Sequence, residues 1–291
     1  MIASVTGRQP LVDCVASFVC QPDADSIEVI VATSAEDEAL SNLSRSFPNA
    51  RVLRVAERRS IPELRAIGLL DARGTILAMT EDHCVARADW VESVLRAHDS
   101  SEHVAIGGSV ENGATERTID WAVYFCEYGR HMAPIAAGPT VDLPGPNVSY
   151  KREALDQFRD LLSPATWEPL WHWRLQERGF TLVADPSLVV YHCKNFTFGG
   201  FMRERYHYSR SFAGRRVAGT SLGRRALFLA GTPLLPPLVL GRIVRRVWPK
   251  GRHRGAFLRS LPYITLFALS WAAGEFMGYA FGEGRSAAKI D

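Results

Sequence analysis

The sequence predicts an α/β fold with a mostly parallel central sheet flanked by helices, followed by a membrane-associated C-terminal segment. Over the first 80 residues, short β-rich runs alternate with helical patterns, which is typical of βαβ units and a parallel sheet. The 47% apolar share of the 291 residues is sufficient for a sizeable core. We expect strands at 2–5, 28–32, 51–55 and 75–79, with helices between them at 11–20, 36–46 and 62–72.

The net charge of +3 conceals a strongly basic segment near the C-terminus. Residues 203–259 contain 14 Arg or Lys and a single acid, Glu204, so they carry +13 and the remaining residues sum to −10. Such a local charge predicts a polyanionic partner, either a membrane surface or a nucleic acid. Because the arginines bracket two apolar stretches, 226–240 and 261–282, we expect anionic membrane lipids and no nucleic acid.

The two apolar stretches predict different relations to a bilayer. The first has 15 residues with Pro233, Pro236 and Pro237, so it is expected to be too short and too broken to cross. Arginines on both sides of it favour an in-plane or re-entrant segment with both ends cytoplasmic. The second has 22 residues and could cross, but it carries Glu275, so crossing and lying in the interface both stay open. A buried helical subdomain is the alternative to membrane attachment.

Cysteine usage and the N-terminus indicate the compartment. Five cysteines form no CxxC pair, which favours reduced thiols in the cytoplasm. Residues 1–7 have neither the basic start nor the long apolar run of a secretory signal. We therefore expect a protein on the cytoplasmic face of the inner membrane, attached through its C-terminal region.

Three side chains that can bind ions follow the fourth expected strand. Glu81, Asp82 and His83 come directly after the apolar run 76–79, at the sheet edge where ligands bind in parallel α/β folds. Carboxylates there need a compensating charge, and a divalent ion on the phosphates of a nucleotide would supply one. Carboxylate oxygens can also hold ribose hydroxyls, and a histidine ligand favours Mn²⁺ over Mg²⁺. The alternative is a solvated loop whose acids cap a helix at 88–97.

A turn and a helix further along carry one polar candidate each. Residues 143–150 form a Pro/Gly-rich turn around Asn147, which taken by itself is best interpreted as an ordinary turn. Residues 167–179 predict a helix that places Glu168 in its first turn among three tryptophans. Partial desolvation by such rings makes a carboxylate a better general base, whereas the alternative is an acid that interacts with the helix dipole.

Taken in order, these motifs resemble family 2 of the glycosyltransferases, which are inverting enzymes with the GT-A fold. The segments that carry the resemblance are TEDHC, WVESVLRAH, AIGGSVENG, LPGPNVSYKR and WEPLWHWRLQERGF, within residues 2–216. It implies a UDP-, GDP- or dTDP-linked sugar donor, a lipid-linked or glycan acceptor and a divalent metal. We therefore expect a GT-A catalytic domain at 1–202, a basic connecting helix at 203–225 and membrane-associated helices at 226–291.

The resemblance implies roles for the acidic candidates. Glu81-Asp82-His83 stand where the family carries Asp-x-Asp, so Glu81 and Asp82 would meet the ribose or the metal and His83 would be a metal ligand. Glu168 stands where the family has the Asp that acts as general base, and it has the same functional group on a longer arm.

Further donor-binding residues follow from the same resemblance. Asn147 matches the Gly-x-Asn loop of the donor-sugar and acceptor site, and Arg65 matches an arginine of the third helix that helps to hold the nucleotide. Thr6, just after the first strand, is a third donor-binding candidate. Thr33 and Ser34 replace the usual acids after the second strand, so recognition of the base is not implied.

The segment after the last expected strand, 188–191, supplies secondary candidates. His192 could join the metal or the diphosphate, with a hydrogen-bonded structural histidine as the alternative. Candidates for a diphosphate or a lipid head group are Arg203, Arg205, Tyr206 and Arg210.

Two other functions stay open at this stage. Because Glu81 and His83 replace the family's outer aspartates, a non-catalytic membrane scaffold with a degenerate transferase domain is one alternative. A sugar nucleotidyltransferase, which can share a similar sheet and acidic pair, is the other.

Overall fold

The fold consists of two compact units, which we call the sheet unit and the helical unit. In a computed structural model, all residues are described except 6, 8, 36, 158, 160–165, 287, 288, 290 and 291. The sheet unit comprises residues 1–113 and 131–194, and the helical unit comprises 114–130 and 195–291.

The sheet unit is built on one mixed sheet, which has nine strands among the described residues. The strands are β1 (Ile2–Ser4), β2 (Val29–Thr33), β3 (Ala50–Arg54), β4 (Ile76–Glu81), β5 (Cys84–Ala86), β6 (Ala105–Asn112), β7 (Gly138–Thr140), β8 (Val148–Lys151) and β9 (Leu182–His192). Their order is β3-β2-β1-β4-β8-β6-β9-β5, and β7 also pairs with β9.

Eleven α-helices are found in the described parts of the two units. They are α1 (Gln9–Val19), α2 (Asp37–Ser46), α3 (Ile61–Asp71), α4 (Trp90–Asp99), α5 (Thr118–Glu127), α6 (Arg152–Asp156), α7 (Glu168–Glu177), α8 (Phe198–Arg216), α9 (Leu222–Gly231), α10 (Leu235–Val247) and α11 (Arg254–Phe281). Helix α5 and helices α8 to α11 belong to the helical unit, and the others belong to the sheet unit.

The first half of the sheet has the predicted βαβ topology. β1 lies parallel to β2 and β4, and β2 lies parallel to β3. All five residues of β2 are buried, as a parallel strand covered on both faces requires. The predicted alternation of strands and helices is confirmed, with boundaries that differ by at most two residues. Beyond β4 the sheet is mixed, because β8 is antiparallel to β4 and β6.

Strand pairing brings the ends of β4 and β9 together. β9 lies parallel to β6 and ends at His192. The chain leaves β4 at Glu81 and returns in β5, which is antiparallel to β9 with Cys84 opposite His192. The turn that contains Asp82 and His83 therefore lies beside the carboxyl end of β9, 109 positions further along the chain than His83.

The helical unit is organised around α11, which packs against α5, α8, α9 and α10. Residues 114–130, which include α5, belong to this unit although they lie between strands of the sheet unit in the sequence. The sequence does not indicate this grouping. Helix α8 also begins at Phe198, before the boundary at 202/203 expected from the onset of basic residues.

The structure corrects the expectation that prolines break the first apolar stretch. α9, a 3₁₀ turn at Thr232–Leu234, α10 and a 3₁₀ turn at Trp248–Lys250 follow one another as a helix of 29 residues, Leu222–Lys250. The prolines are tolerated because they lie at first-turn positions, where a backbone N–H would have no acceptor within the helix. By length and composition alone, this helix and α11 could each span a membrane, a criterion that core helices of soluble proteins also meet.

A buried histidine predicts a pH dependence of the sheet unit's stability. The Nε2 atom of His98 in α4 lies 2.8 Å from Ser149 Oγ in β8, and burial, followed by the charge of Lys151, lowers the pKa of His98 from 6.5 to about 4. Between pH 6.5 and pH 4 the unfolded chain therefore binds more protons than the folded chain. The stabilising contribution of neutral His98 is complete above pH 6.5 and is lost as the pH falls towards 4. We expect the unfolding free energy of the parent to fall by up to about 3 kcal/mol relative to His98→Gln across this window, measured by denaturant titration. His103→Gln, at an exposed position, is the control. Parallel pH profiles for the parent and His98→Gln would contradict the assignment.

Candidate functional site

The candidate site lies where β4 and β9 end. Glu81 is the last residue of β4, and His192 is the last residue of β9. The backbone N–H of Cys193 donates to the carbonyl of His83 over 2.8 Å, which fixes the turn against the end of β9. The prediction that polar residues after the strands meet at one sheet edge therefore describes these side chains well.

Three potential ligand atoms converge at this edge. His83 Nε2 lies 3.1 Å from Glu81 Oε2 and 2.9 Å from His192 Nε2, and the two imidazole rings meet edge to face at 88°. Neighbouring ligands of an ion with bonds of about 2.1 Å are separated by about 3 Å when they are at right angles. The residues present therefore fit a divalent cation. His83 lies in the centre of this group, and His192, a secondary candidate in the sequence, contacts it.

Asp82 lies behind His83 and not among the converging atoms. His83 Nδ1 is 2.8 Å from Asp82 Oδ1, and Ser4 Oγ donates to Asp82 Oδ2 over 2.6 Å. Ser4 Oγ in turn accepts from the backbone N–H of Gly7. A carboxylate on one ring nitrogen fixes the imidazole orientation and leaves the other nitrogen facing the site. Ser4 is not among the sequence candidates, because its role depends on the pairing of β1 with β4.

Charges within the cluster set its protonation. Burial acts to lower the pKa of His83, but its contacts with Asp82 and Glu81 outweigh burial and raise that pKa. Burial, followed by the charge of His83, lowers the pKa of His192 to about 3. Burial acts to raise the pKa values of Glu81 and Asp82, but interactions with His83 hold both below their usual range. Ionised carboxylates and a neutral His192 are the forms that bind cations, whereas His83, whose raised pKa favours the protonated form, must lose its proton to bind one.

Cys84 is a further potential ligand that the sequence candidates do not include. Its Sγ atom and ligand atoms of Glu81 and His83 all lie within 4.8 Å of one another. Burial raises the pKa of the Cys84 thiol well above its usual value, and the neutral thiol is a poor ligand compared with a thiolate. Cys84 and His192 are therefore the two candidates for a third ligand beside Glu81 and His83. The signal for Cys84 was its place in the segment Thr80-Glu81-Asp82-His83-Cys84 itself.

Arg65 links the acidic turn to Glu168. Arg65 in α3 is 1% exposed, and its Nη2 atom lies 3.3 Å from Glu81 Oε1. Its Nη1 atom forms a close ion pair with Oε1 of Glu168, the first residue of α7, which is also buried. The guanidinium lies 5.8 Å from the centre of the Trp167 ring, and its buried Nε has no hydrogen-bond partner among the described residues. The structure thus joins three sequence candidates in one buried, charged group.

The Pro/Gly-rich turn borders Glu168. A Cβ atom built on Gly145 would lie 3.2 Å from Glu168 Oε2, so the glycine leaves room for the carboxylate. Asn147 is fully buried: its Nδ2 donates to the carbonyls of Ser109 and Leu188, and its Oδ1 accepts from Trp90 Nε1. Asn147 therefore holds this turn in place, and its side-chain hydrogen bonds are made to the protein.

The remaining candidates lie elsewhere. Thr6 is outside the described residues. Arg203, Arg205, Tyr206 and Arg210 all lie on α8 in the helical unit, where Arg203 is exposed and Tyr206 is partly buried. Arg205 pairs with Glu127 over 2.8 Å, and Arg210 donates to the carbonyl of Gly282. Arg205 and Arg210 therefore bind protein groups within their own unit.

Comparison with known proteins places the chain in a family. The sequence profile described as "Glycosyl transferase family 2" matches residues 2–159, more than half of the chain. The chain belongs to glycosyl transferase family 2. A curated relative, mouse Polypeptide N-acetylgalactosaminyltransferase 12, is 26% identical over 108 residues, which cover 35% of this chain. The match spans 18% of that relative's length.

Solved structures share the fold of this family member. A mannosyltransferase from Pyrobaculum calidifontis, solved with GDP-Man and Mn²⁺, aligns with a TM-score of 0.56 and 14% identity over 94% of this chain and 85% of its own. S. aureus TarS 1–349 aligns with a TM-score of 0.50 and 11% identity over 93% and 89%. GalNAc-T7, solved with UDP, GalNAc and Mn²⁺, aligns with a TM-score of 0.52 and 15% identity over 67% and 43%. The predicted GT-A fold is confirmed.

The buried charge of Arg65 predicts a large effect on stability. Arg65→Met would leave the carboxylates of Glu81 and Glu168 without their shared cation, so we expect it to destabilise the fold by about 3 kcal/mol in denaturant titrations. Adding Glu168→Gln to that variant removes one of the two charges and should recover about 1 kcal/mol or more. Arg59→Met is the matched control, since Arg59 pairs with Glu57 and Glu63 at an exposed position and its loss should cost less than about 1 kcal/mol. Equal effects of the two methionine variants would show that Arg65 is not needed to compensate the carboxylates.

Proposed function

We propose that this family 2 member is an inverting glycosyltransferase. It moves a sugar from a nucleoside-diphosphate donor to a hydroxyl group of a lipid-linked glycan at the cytoplasmic face of the inner membrane. The observation that carries the proposal is that Arg65 joins a cation-binding group to a buried carboxylate at the ligand-binding edge of the sheet. The ligands in two of the similar structures, nucleotides or a nucleotide sugar with Mn²⁺, support the donor class.

In this proposal a divalent metal is held by Glu81, His83 and His192. When bound, it would neutralise the charge that develops on the nucleoside diphosphate as it leaves. Two imidazole nitrogens in the ligand set favour Mn²⁺ over Mg²⁺, which prefers oxygen ligands. Asp82 and Ser4 hold the His83 ring in the orientation that this role requires.

Glu168 acts as the general base of a single displacement. It removes the proton from the acceptor hydroxyl, and the resulting oxygen nucleophile attacks the anomeric carbon from the face opposite the leaving group. Oε1 of Glu168 faces Arg65, so Oε2, next to Gly145, is the oxygen that is left for the acceptor. The ion pair with Arg65 compensates the charge of the carboxylate in its buried position.

Donor binding is proposed for residues at the same edge. Glu81 and Asp82 are the candidates for the ribose of the donor, and Arg65 links Glu81 to Glu168. Thr6 and Asn147 stay candidates through the family resemblance alone.

The C-terminal sequence supports the membrane and acceptor parts of the proposal. A basic, apolar segment that holds the enzyme at a bilayer raises the effective concentration of a lipid-linked acceptor. Anionic lipids on the cytoplasmic face would attract the arginines.

Ligand-dependent thermal unfolding tests the donor and metal site. The parent protein is heated with UDP, GDP, dTDP or CMP, each with and without Mn²⁺. We expect one nucleotide to stabilise the fold in the presence of Mn²⁺, by about 2.7 kcal/mol at about 100 times its dissociation constant. His83→Ala and His192→Ala should each lose the Mn²⁺-dependent part, whereas His103→Ala, at an exposed position, should retain it.

Two measurements, thermal unfolding with nucleotides and an assay of pyrophosphate release, separate the alternatives. A folded parent that responds to none of the nucleotides would favour the scaffold without catalytic activity. Release of pyrophosphate from a nucleoside triphosphate and a sugar phosphate would favour the nucleotidyltransferase.

The role of Glu168 predicts a defect in the chemical step. Glu168→Gln keeps the shape of the side chain but removes the base, so kcat should fall by about 10²- to 10⁴-fold while Mn²⁺-dependent nucleotide binding persists. Glu177→Gln, in the exposed last turn of the same helix, is the matched control and should keep the parental kcat. The anomeric configuration of the first product, determined by NMR, tests inversion directly. A variant Glu168→Gln with parental kcat would rule out this base.

A further inference from the structure

Helix α8 packs closely along α11 in the helical unit. The rings of Phe201 and Phe267 meet edge to face at 4.6 Å, and a Cβ atom on Gly274 would lie 2.0 Å from Ser209 Oγ. One turn further along α11, a Cβ on Gly278 would lie 2.5 Å from a backbone oxygen of α8. Because successive contacts advance in the same direction on both helices, α8 and α11 run side by side and parallel. Any orientation of α11 relative to a bilayer is therefore shared by α8.

Charged groups of this pair lie beside the middle of α11. Arg205 of α8 forms a 2.8 Å ion pair with Glu127 of α5 and lies 5.3 Å from the centre of the Trp271 ring. Glu275 accepts hydrogen bonds from Trp271 Nε1 over 2.7 Å and from the Tyr279 hydroxyl over 2.6 Å. The helix of 28 residues is about 42 Å long, so Trp271 and Glu275 both lie within about 12 Å of its midpoint.

These charges, together with the exposed basic residues of α8, argue against a membrane-spanning α11. A hydrocarbon core about 30 Å thick extends about 15 Å on either side of its centre, so a spanning α11 would carry the Arg205–Glu127 pair into it. Ionisable groups at that depth are rare and face a bundle interior or a water-filled cavity. Here α8 has nine residues with Arg, Glu, His or Tyr side chains among its nineteen, several of them exposed. The α8–α11 pair therefore belongs in an aqueous or interfacial environment.

The helix Leu222–Lys250 runs along α11 in the opposite direction and has a different surface. Near its start, Arg225 Nη2 donates to the carbonyl of Ala280 over 2.6 Å, and near its end the Trp248 ring lies 6.4 Å from Phe257. In the most apolar 18 residues of this helix only 11% are buried, whereas the corresponding share in α11 is 39%. Its exposed apolar side chains, which we call the apolar face, are Leu222, Leu227, Leu234, Leu238 and Trp248.

Basic residues lie near both ends of the helix that carries the apolar face. Residues 222–254 contain eight Arg or Lys and no Asp or Glu. The stretch without any charge, 226–241, has 16 residues and would be about 24 Å long as a helix, shorter than the hydrocarbon core. An in-plane helix that buries one apolar side and keeps arginines at anionic head groups satisfies both features.

We propose, building on the proposed function, that the helical unit binds an anionic bilayer from one side only. The apolar face of Leu222–Lys250 enters the interface, and α11 lies parallel to the surface without crossing. The lipid surface is favoured over a protein partner because the patch combines continuous apolar exposure with an entirely basic flank.

Vesicle flotation tests the surface. The full chain is mixed with preformed vesicles of phosphatidylcholine alone, or of equal parts phosphatidylcholine and phosphatidylglycerol. We expect flotation with the anionic vesicles, and weaker binding when NaCl is raised from about 0.1 M to about 1 M. Leu227→Glu with Leu238→Glu should abolish flotation, and Arg242→Gln with Arg245→Gln should weaken it about tenfold or more. Leu70→Glu, at a half-exposed leucine of the sheet unit, is the matched control and should float like the parent.

Protease accessibility tests the topology. The full chain carries an epitope tag at each end and is expressed in cells from which sealed, inverted membrane vesicles are prepared. Because α11 does not cross in this proposal, protease added outside should digest both tags. A third tag is inserted at 251–253, between the two long helices. Protection of this tag, or of the C-terminal tag alone, would show that a helix crosses and would overturn the proposal.

The remaining outcomes are also decisive. Equal flotation of parent and Leu227→Glu/Leu238→Glu would place the lipid contact elsewhere. A parent that does not float and forms a dimer that the same double substitution dissociates would show that a second copy covers the face. Melting temperature and nucleotide-dependent stabilisation are recorded for every variant, so a failure of the proposed transferase function is distinguished from a failure at this surface.

Discussion

The buried guanidinium of Arg65 is the interaction on which the candidate site depends. A charge in the interior needs a partner of opposite sign and suitable hydrogen bonds, and Arg65 meets Glu81 on one side and Glu168 on the other. Since these three residues come from α3, the end of β4 and the start of α7, a single cation fixes the relative positions of three elements. The carboxylates of Glu81 and Glu168 are thereby held at a constant separation.

The same requirement explains the residues behind the site. Asp82 is held by Ser4 and His83, so its charge is compensated and the His83 ring keeps one orientation. Asn147 satisfies its buried amide with two carbonyls and an indole N–H, which holds the turn that leaves space beside Glu168. These side chains contribute by making the geometry of others reproducible, and each does so with groups from distant parts of the sequence.

The sequence predicts the first half of the fold well because the local signals are strong. Alternating β-rich and helical runs, with four apolar residues in succession in β2, leave few arrangements other than parallel βαβ units. Glu81 and His192 could be placed at one edge because strand direction determines where strands end. The placement of Asp82 behind His83 could not be predicted, since it depends on which ring nitrogen meets the carboxylate. The contribution of Ser4 depends on β1 lying next to β4, which no local pattern specifies.

The helical unit shows why composition alone did not decide the orientation of α11. An apolar helix with one acid is consistent with a span, with an interfacial helix and with a core helix, because hydropathy records the residues of one segment and not their neighbours. The neighbours supply the missing information: Gly274 and Gly278 allow the backbone of α8 to approach, and α8 brings Arg205 with it. Glu275 is then no longer an isolated charge in an apolar helix, since Trp271 and Tyr279 donate to its carboxylate. The requirement that a buried charge be partnered, which assembles the candidate site in one unit, therefore also limits how the other unit can meet a membrane.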